Sequence, residues 1–198
     1  MLKKKPSQTD EQLARSAANG DRAAFESIVR RYTRPLAEFV VHKTATVQDA
    51  EDIVQETFLR AFVNIKTFDP QFSLKNWLFT IAYRLVVSSY RKKKPVRLDS
   101  RTCAEMIDPQ PNENSQLDWL WELAAQMGES VYTVLWLRYK QEMEVAEIAR
   151  VLGRSQIGVR VLLHRARRKL AERIKVAAEN QPDNLTFRTV LLEGTTTL

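Results

Sequence analysis

Apolar residues recur every three or four positions along almost the whole chain, and no segment alternates between apolar and polar residues for long enough to predict a strand. This spacing places apolar side chains on one face of an α-helix. Five glycines and seven prolines in 198 residues are too few for a turn-rich β-sandwich or barrel. The sequence therefore predicts an all-α fold.

Capping signals predict where several of these helices begin and end. The run Thr9-Asp-Glu-Gln12 is typical of a helix start, and Gly20 of a stop. Pro35 is expected to kink the second helix or to end it one residue earlier. A third helix is predicted from Thr46 through Phe68. Its expected apolar side comprises Ala50, Ile53, Val54, Phe58, Ala61, Phe62 and Ile65. Ser73 is positioned to cap a fourth helix.

A polar stretch with three prolines, residues 93–114, divides the helical pattern into two parts. Its Asp, Asn, Ser and Gln content is typical of a flexible linker. We therefore predict two small helical domains joined by this linker. The predicted ranges are 1–92 for the first domain, 115–175 for the second and 176–198 for a C-terminal tail without an assigned role.

Basic residues outnumber acidic ones by 31 to 24, and the excess lies in two blocks. Residues 60–101 hold ten Lys or Arg against two acidic residues, and residues 150–175 hold nine against one. The intervening stretch, 105–147, is acidic. Two separate basic blocks favour two nucleic-acid contacts, although solvated helix faces would carry the same charges.

The most specific local pattern is a predicted helix-turn-helix within residues 143–170. Ala149 provides the small residue where the two helices approach, Gly153 the turn, and Val159 the β-branched wedge in the second helix. Ser155 is positioned to cap that second helix. A plain helical hairpin would fit the same spacing. The arginines of the second helix favour DNA binding, because guanidinium groups bind phosphates and base edges.

Residues that could support catalysis are few and scattered. His42 and His164 lie in different predicted domains, and the single cysteine, Cys103, lies in the linker. The sequence has no glycine-rich phosphate loop, no nucleophile-elbow motif and no metal-ligand spacing. We therefore expect no enzyme, no catalytic residue, no metal, no cofactor and no small-molecule substrate. No apolar run is long enough for a secretion signal or a membrane span, so we expect a cytoplasmic protein without membrane insertion.

Six short runs carry a resemblance to a known family. They are Asp49-Ala-Glu-Asp-Ile-Val-Gln-Glu-Thr-Phe-Leu-Arg-Ala-Phe62, Trp77-Leu-Phe-Thr-Ile-Ala82, Leu137-Arg-Tyr139, Glu147-Ile-Ala149, Val151-Leu-Gly153 and His164-Arg-Ala-Arg167. On these runs the chain resembles the extracytoplasmic-function (ECF) sigma factors of bacterial RNA polymerase. Residues 25–92 resemble sigma domain 2, and residues 115–175 resemble sigma domain 4.

The resemblance implies that the chain binds core RNA polymerase and directs promoter-specific transcription initiation. The residues it implies for binding a coiled coil of the largest polymerase subunit are Asp49, Asp52, Gln55 and Glu56. An acidic and amide face in a basic domain suits a protein partner, although it could also be a solvated helix face.

The resemblance also implies two promoter contacts. The residues implied for the single-stranded −10 element are Asn64, Lys66, Phe68, Phe72, Lys75, Asn76, Trp77, Arg84, Arg91 and Lys92. Those implied for the duplex −35 element are Arg154, Ser155, Gln156, Gly158, Arg160, Val161, His164, Arg165, Arg167 and Arg168. Aromatic rings beside cations suit single-stranded bases, but Phe68 and Phe72 fit equally well in a core.

The sequence departs from the family at several contact positions. Arg84 and Ser88 stand where the family usually has Asn and Asp. Gly158-Val-Arg-Val-Leu162 replaces the usual Thr-Val-Lys-Ser-Arg pattern at the start of the second helix. We therefore expect weak sequence discrimination, with Val161 limited to a thymine methyl and Arg160 as the one guanine contact.

Two alternative functions stay open on sequence grounds. One is a helix-turn-helix regulator that does not bind polymerase, and the other is a sigma-derived protein-interaction module. The resemblance also allows an anti-sigma factor as a partner, commonly held between the two domains, but no residue identifies one.

Overall fold

The computed structural model describes residues 8–90 and 118–180, and every regular element within these ranges is helical. The chain divides into two compact units, the first built from residues 8–90 and the second from most of 118–180. The predicted all-α architecture with two helical units is confirmed. Cys103, the predicted linker and most of the predicted tail lie outside the described residues.

Four α-helices form the first unit. They are α1 (Asp10–Ala18), α2 (Arg22–Val41), α3 (Val47–Asn64) and α4 (Leu74–Tyr90), with a 3-10 turn (Ile65–Thr67) directly after α3. Consecutive helices pack on one another, and α4 also contacts α1 and α2. At the centre, the buried rings of Phe39 and Phe79 meet edge to face with their centroids 5.2 Å apart. This packing holds α2 against α4.

The first helix begins and ends where its capping residues predict. The Gln12 backbone N–H donates to Thr9 Oγ1 at 3.3 Å, and the Thr9 N–H donates to Gln12 Oε1 at 3.0 Å. This reciprocal pair satisfies two N–H groups that a helix terminus leaves without partners. Gly20, with φ of +95°, then turns the chain towards α2.

Asp10 attaches α1 to α2. Its carboxylate forms an ion pair with Arg31 and accepts a hydrogen bond from the Tyr32 hydroxyl. Arg31 also donates to the Gln8 carbonyl at 2.8 Å. Burial raises the pKa of Tyr32, and the hydrogen bond to the Asp10 carboxylate raises it further. Tyr32 therefore stays protonated and keeps donating to Asp10.

Three predictions about the first unit are wrong in part. Helix α2 does not end before Pro35 but runs through it to Val41. The neighbouring side chains Tyr32 and Leu36 are buried, and their packing offsets the one backbone hydrogen bond that proline removes. Phe62, expected on the apolar side of α3, is 48% exposed, and its ring meets the partly buried Phe25 ring edge to face with the centroids 5.0 Å apart. The predicted third helix also stops at Asn64, before the 3-10 turn.

A histidine and a lysine lie together at the end of α2. Lys43 is buried, and its Nζ donates to the Phe39 carbonyl at 2.9 Å and lies 4.1 Å from the centroid of the Phe39 ring. These contacts compensate for the loss of water around the ammonium group. Burial, and then the charge of Lys43, lower the pKa of His42 to about 4. His42 is therefore neutral at pH 7.

The second unit contains the remaining described helices. They are α5 (Asp118–Gln126), α6 (Glu129–Leu135) with a π-helical turn (Trp136–Lys140), α7 (Val145–Leu152) and α8 (Gln156–Asn180). Helix α6 packs on α5 and α8, and Lys169 of α8 donates to the Met127 carbonyl at 2.9 Å. This lysine of the second basic block therefore supports the fold. The last helix also continues five residues beyond the predicted domain boundary at 175.

Candidate protein and nucleic-acid interfaces

The outward side of α3 carries the four residues predicted to bind a protein. Thr46 Oγ1 accepts the Asp49 N–H at 3.0 Å and sets the start of the helix. Asp52 and Gln55 are exposed, whereas Asp49 and Glu56 are partly buried. At 100° per residue, Asp52 and Gln55 point away from the core, and Asp49 and Glu56 lie along one flank. The structure therefore brings all four to one accessible side of the helix.

Ion pairs and hydrogen bonds within α3 join side chains of this acidic side to other residues of the same helix. Arg60 Nε lies 2.7 Å from Glu56 Oε1, and Gln48 Nε2 donates to Asp52 Oδ1 at 3.3 Å. Such exposed pairs one helical turn apart contribute only a few tenths of a kcal/mol in water. A partner with basic side chains can displace them at little cost.

Three large apolar side chains on α3 extend the same surface, and two of them, Leu59 and Val63, are not among the residues that the sequence predicted for a contact. Leu59 is 57% exposed, Val63 is 70% exposed and Phe62 is 48% exposed. Their spacing contained a signal, because Leu59 and Val63 follow Gln55 by four and eight residues and so share its face. We refer to Asp49, Asp52, Gln55, Glu56, Leu59, Phe62 and Val63 together as the α3 surface. Carboxylates repel nucleic acid, so exposed apolar groups beside them favour a protein partner.

The segment between α3 and α4 places one aromatic ring in solvent. Asp69 Oδ1 accepts the Gln71 N–H at 2.9 Å, and the Asp69 carbonyl accepts the Phe72 N–H at 3.0 Å. Ser73 Oγ accepts the Asn76 N–H at 3.5 Å, which confirms Ser73 as the cap of α4. This tight turn leaves the Phe72 side chain 42% exposed. Part of the Phe72 ring is therefore accessible to solvent.

Phe68 has a different environment from Phe72. Its ring is partly buried and lies 5.2 Å from the Trp77 ring, centroid to centroid, with the planes tilted by 47°. Trp77 is also partly buried. The pair joins the 3-10 turn to α4. Of the two interpretations left open for these phenylalanines, packing fits Phe68, and stacking on a base stays a prediction for Phe72.

The other residues predicted for the −10 element are not equally accessible. Asn76 is only 5% exposed in the first turn of α4, because the packing of α4 buries that side of the helix. Its assignment to the −10 element stays a prediction. The remaining members are Asn64, Lys66 and Arg84, which are exposed, Lys75, which is partly buried, and Arg91 and Lys92, which lie outside the described residues.

The predicted helix-turn-helix is present between α7 and α8. Helix α7 ends at Gly153, with φ of +63°, and the Arg154 N–H donates back to the Ala149 carbonyl at 2.9 Å. Ser155 Oγ then accepts the Gly158 N–H at 3.1 Å and caps α8. Val159, the predicted wedge, is fully buried. The turn geometry therefore follows from the residues that predicted it.

The outward side of α8 combines apolar and basic groups. Ile157 is 71% exposed and Val161 is 44% exposed. At 100° per residue, both point away from the buried Val159, and His164 and Arg168 continue the same stripe. Ile157 was missed from sequence, although its position four residues before Val161 placed it on the same face. The Arg168 guanidinium and the Glu172 carboxylate are 3.7 Å apart on the exposed side of the helix.

Most of the residues predicted for the −35 element are accessible. The exposed ones are Arg154, Ser155, Gln156, Arg160, Val161, His164, Arg165 and Arg168, whereas Gly158 and Arg167 are partly buried. Helix α8 holds seven Lys or Arg against two Glu. Such a face attracts phosphates.

Residues 8–90 and 118–180 show neither a metal centre nor a membrane span. No group of three His, Cys, Asp or Glu side chains is arranged there to hold a metal ion. In the same ranges, no helix is both long enough and apolar enough to cross a membrane.

Comparison with known proteins finds relatives along most of the chain. The family described as Sigma-70 region 2 matches residues 28–96, and Sigma-70, region 4 matches residues 117–170. The chain is 29% identical over 171 residues to the ECF RNA polymerase sigma factor SigW of Bacillus subtilis, covering 79% of this chain and 91% of SigW. It is 30% identical over 161 residues to the ECF RNA polymerase sigma factor EcfG of Rhodopseudomonas palustris, covering 79% of this chain and 88% of EcfG.

A solved structure shares the fold at similar identity. CnrH, in complex with the cytosolic domain of CnrY, superposes with a TM-score of 0.63 at 28% identity. The alignment covers 84% of this chain and 97% of CnrH.

Proposed function

The chain belongs to the ECF sigma factors, and we propose that it divides the tasks of this family between the α3 surface, the turn before α4 and the outward side of α8. As a sigma factor, it binds core RNA polymerase and directs transcription initiation at promoters. We assign polymerase binding and the −10 element to a domain of residues 1–92. We assign the −35 element to a domain that starts near 115 and extends to 180.

Polymerase binding rests on one observation about the α3 surface. In a chain with a net charge of +7, this helix alone carries four acidic residues against one basic residue. The exposed Asp52 carboxylate lies on the same side of the helix as Leu59 and Val63, which are more than half exposed. Burial of such groups against a partner stabilises a complex by about 1.5–3 kcal/mol per large apolar side chain. A regulator that acted without polymerase would leave this surface without a purpose.

Phe72 supports the proposed contact with the −10 element. A base that leaves the duplex loses stacking worth a few kcal/mol, and an exposed aromatic ring restores part of it. Lys66 is exposed before the turn and Lys75 is partly buried after it, so cations for the strand backbone flank the ring in sequence.

The outward side of α8 supports the proposed contact with the −35 element. In a helix-turn-helix, the N-terminal residues of the second helix meet base edges in the major groove. Gln156, Ile157, Arg160 and Val161 occupy that part of α8 and are exposed. Arg165 and Arg168 lie further along the helix, where they suit phosphates.

We also propose that the protein acts in the cytoplasm as an initiation factor without catalytic activity of its own. An anti-sigma protein is a further proposed partner. The solved relative CnrH carries a bound protein, the cytosolic domain of CnrY, which supports this extension.

Run-off transcription tests the proposed function. The full chain, added to core RNA polymerase and to genomic fragments enriched by the resulting holoenzyme, is expected to yield discrete transcripts that core enzyme alone does not make. The double variant Leu59→Ser/Val63→Ser is expected to weaken co-purification with core enzyme at least about tenfold, because it removes two apolar side chains from the interface.

Val176→Ser is the matched control, because Val176 is also exposed, at 53%, but is not part of the α3 surface and lies near the C-terminal end of α8. It is expected to bind core enzyme normally. Equal co-purification of the double variant and the control would refute the assignment of the α3 surface. Absence of transcripts with every template would refute the function as a whole.

A further inference from the structure

The first two turns of α8 expose two aliphatic side chains, Ile157 and Val161, and Val161 stands where the family pattern usually has Ser. Ile157 is 71% exposed, the highest value among the large apolar side chains of the described residues, and Val161 is 44% exposed. They are four residues apart, so their side chains lie one above the other on the outward face of the helix. Neither side chain contributes to the core. Val159 and Leu163, on the opposite side of α8, are the buried residues of this part of the helix.

The surroundings of this pair point to a polyanion as the ligand. Arg160, His164, Arg165 and Arg168 are exposed on the same or adjacent faces of α8. The first acidic residue of the helix, Glu172, comes more than three turns after Val161. An apolar pair framed by cations on a helix-turn-helix complements duplex DNA, which offers phosphates on both sides of the major groove.

The major groove presents one apolar group, the C5-methyl of thymine. Isoleucine and valine have no donor or acceptor for the other base edges, so favourable contact with a base requires that methyl. Residues four apart in a helix are separated by about 6 Å along its axis, and base pairs are spaced by about 3.4 Å. Two side chains at this spacing therefore reach bases about two pairs apart.

We propose that Ile157 and Val161 contact the methyl groups of two thymines about two base pairs apart in the upstream promoter duplex. This inference rests on the proposed binding of that duplex by α8. Specificity at these two positions comes from burial of a methyl group and not from hydrogen bonds. The site accepts thymine and 5-methylcytosine better than uracil or cytosine, whose C5 atoms carry only hydrogen.

Methyl replacement tests the proposal without changing base pairing. Holoenzyme assembled from the full chain and core polymerase is used to enrich duplexes from a randomised library. Each thymine of the enriched upstream segment is then replaced by deoxyuridine, and affinity is compared by competition. Two replacements, about two base pairs apart, are each expected to weaken binding about fourfold, because each removes one buried methyl.

Alanine variants connect each methyl to its side chain. Ile157→Ala is expected to abolish the preference for thymine over uracil at one position, and Val161→Ala at the other. Both side chains are exposed, so the thermal stability of the variants is expected to match the wild-type chain. Val176→Ala, at an exposed valine of the same helix, is the matched control and is expected to retain both preferences.

The outcomes distinguish failure of the methyl contacts from failure of the proposed duplex binding by α8. Enrichment of an upstream motif whose binding does not change with deoxyuridine would overturn the methyl contacts while leaving promoter binding by α8 in place. The methyl contacts are also overturned if both preferences persist in the alanine variants. The same holds if those variants bind every duplex normally but lose binding to a protein. Failure to enrich any upstream motif would overturn both proposals.

Discussion

Helices α3 and α8 expose aliphatic side chains in the same way but surround them with opposite charges. On α3, Leu59 and Val63 lie beside carboxylates, and the helix holds four acidic residues against one basic residue. On α8, Ile157 and Val161 lie beside guanidinium groups, and the helix holds seven basic residues against two acidic ones. Exposed apolar groups indicate that a surface has a partner, and the sign of the neighbouring charge indicates whether that partner is a protein or DNA.

The two helices also differ in how closely their contact residues follow the family pattern. The α3 surface retains the acidic and amide residues that the resemblance assigns to polymerase binding. On α8, the turn at Gly153, the cap at Ser155 and the wedge at Val159 are present, whereas Val161 stands among altered contact positions. A scaffold of buried and capping residues can therefore be kept while the exposed residues that we propose to contact bases change.

Charge reversal on each helix is expected to have the largest effect and tests the comparison directly. Asp52→Lys/Glu56→Lys should weaken binding of core polymerase by about 2–5 kcal/mol, the range for disrupting a charge pair at an interface. The same variant should leave the binding of upstream duplex by assembled holoenzyme unchanged. Titration of labelled core enzyme, followed by duplex competition at saturating chain, measures both quantities.

The reciprocal variant is Arg165→Glu/Arg168→Glu. It should bind core enzyme normally and lower the slope of log affinity against log salt for duplex by about 2, one unit for each phosphate contact. A loss of polymerase binding in this variant, or a loss of duplex binding alone in the α3 variant, would break the division between the two helices.

Acidification is expected to destabilise the first unit through His42. The pKa of His42 is lowered to about 4 in the folded chain, below its ordinary value near 6.5. The unfolded chain therefore binds a proton first as pH falls, so the contribution of His42 to stability is complete above about pH 6.5 and is lost towards pH 4. At about pH 5, the loss is about 2 kcal/mol.

Urea denaturation between about pH 7.5 and 5 measures this loss. His42→Gln should reduce the fall in unfolding free energy of the first unit. His164→Gln is the control, because His164 is exposed on α8, and its profile should follow the wild-type chain. An unchanged profile in His42→Gln would show that burial of this imidazole does not control acid stability.

The two phenylalanines beside α4 are expected to show the smallest effects, in different assays. Phe72→Ala should weaken promoter opening by about 1–3 kcal/mol, the worth of one stacked base, with little change in melting temperature. Phe68→Ala should lower the melting temperature, because its ring packs against Trp77. Potassium permanganate footprinting measures promoter melting, and thermal unfolding measures stability. Together they distinguish a stacking role from a packing role. A melting-temperature loss in Phe72→Ala without an opening defect would contradict the stacking role.

The sequence alone predicted the helices and the turns that depend on nearby residues. The Thr9 cap, the stops at Gly20 and Gly153, and the cap at Ser155 all form as expected. Each of these signals acts between residues no more than about four positions apart, so it is already complete in the local sequence. The acidic side of α3 and the basic side of α8 followed from helical periodicity for the same reason.

Tertiary structure decided which side of each helix is buried against its neighbours. The helical periodicity of the sequence did not determine this. Phe62 lies on the edge of an apolar stripe and is exposed, whereas the polar Asn76 is buried and Pro35 is carried inside α2. Ile157 is left in solvent although its type predicts burial. Burial depends on helices that are distant in sequence and meet only in the folded chain, so packing decided which side chains are accessible.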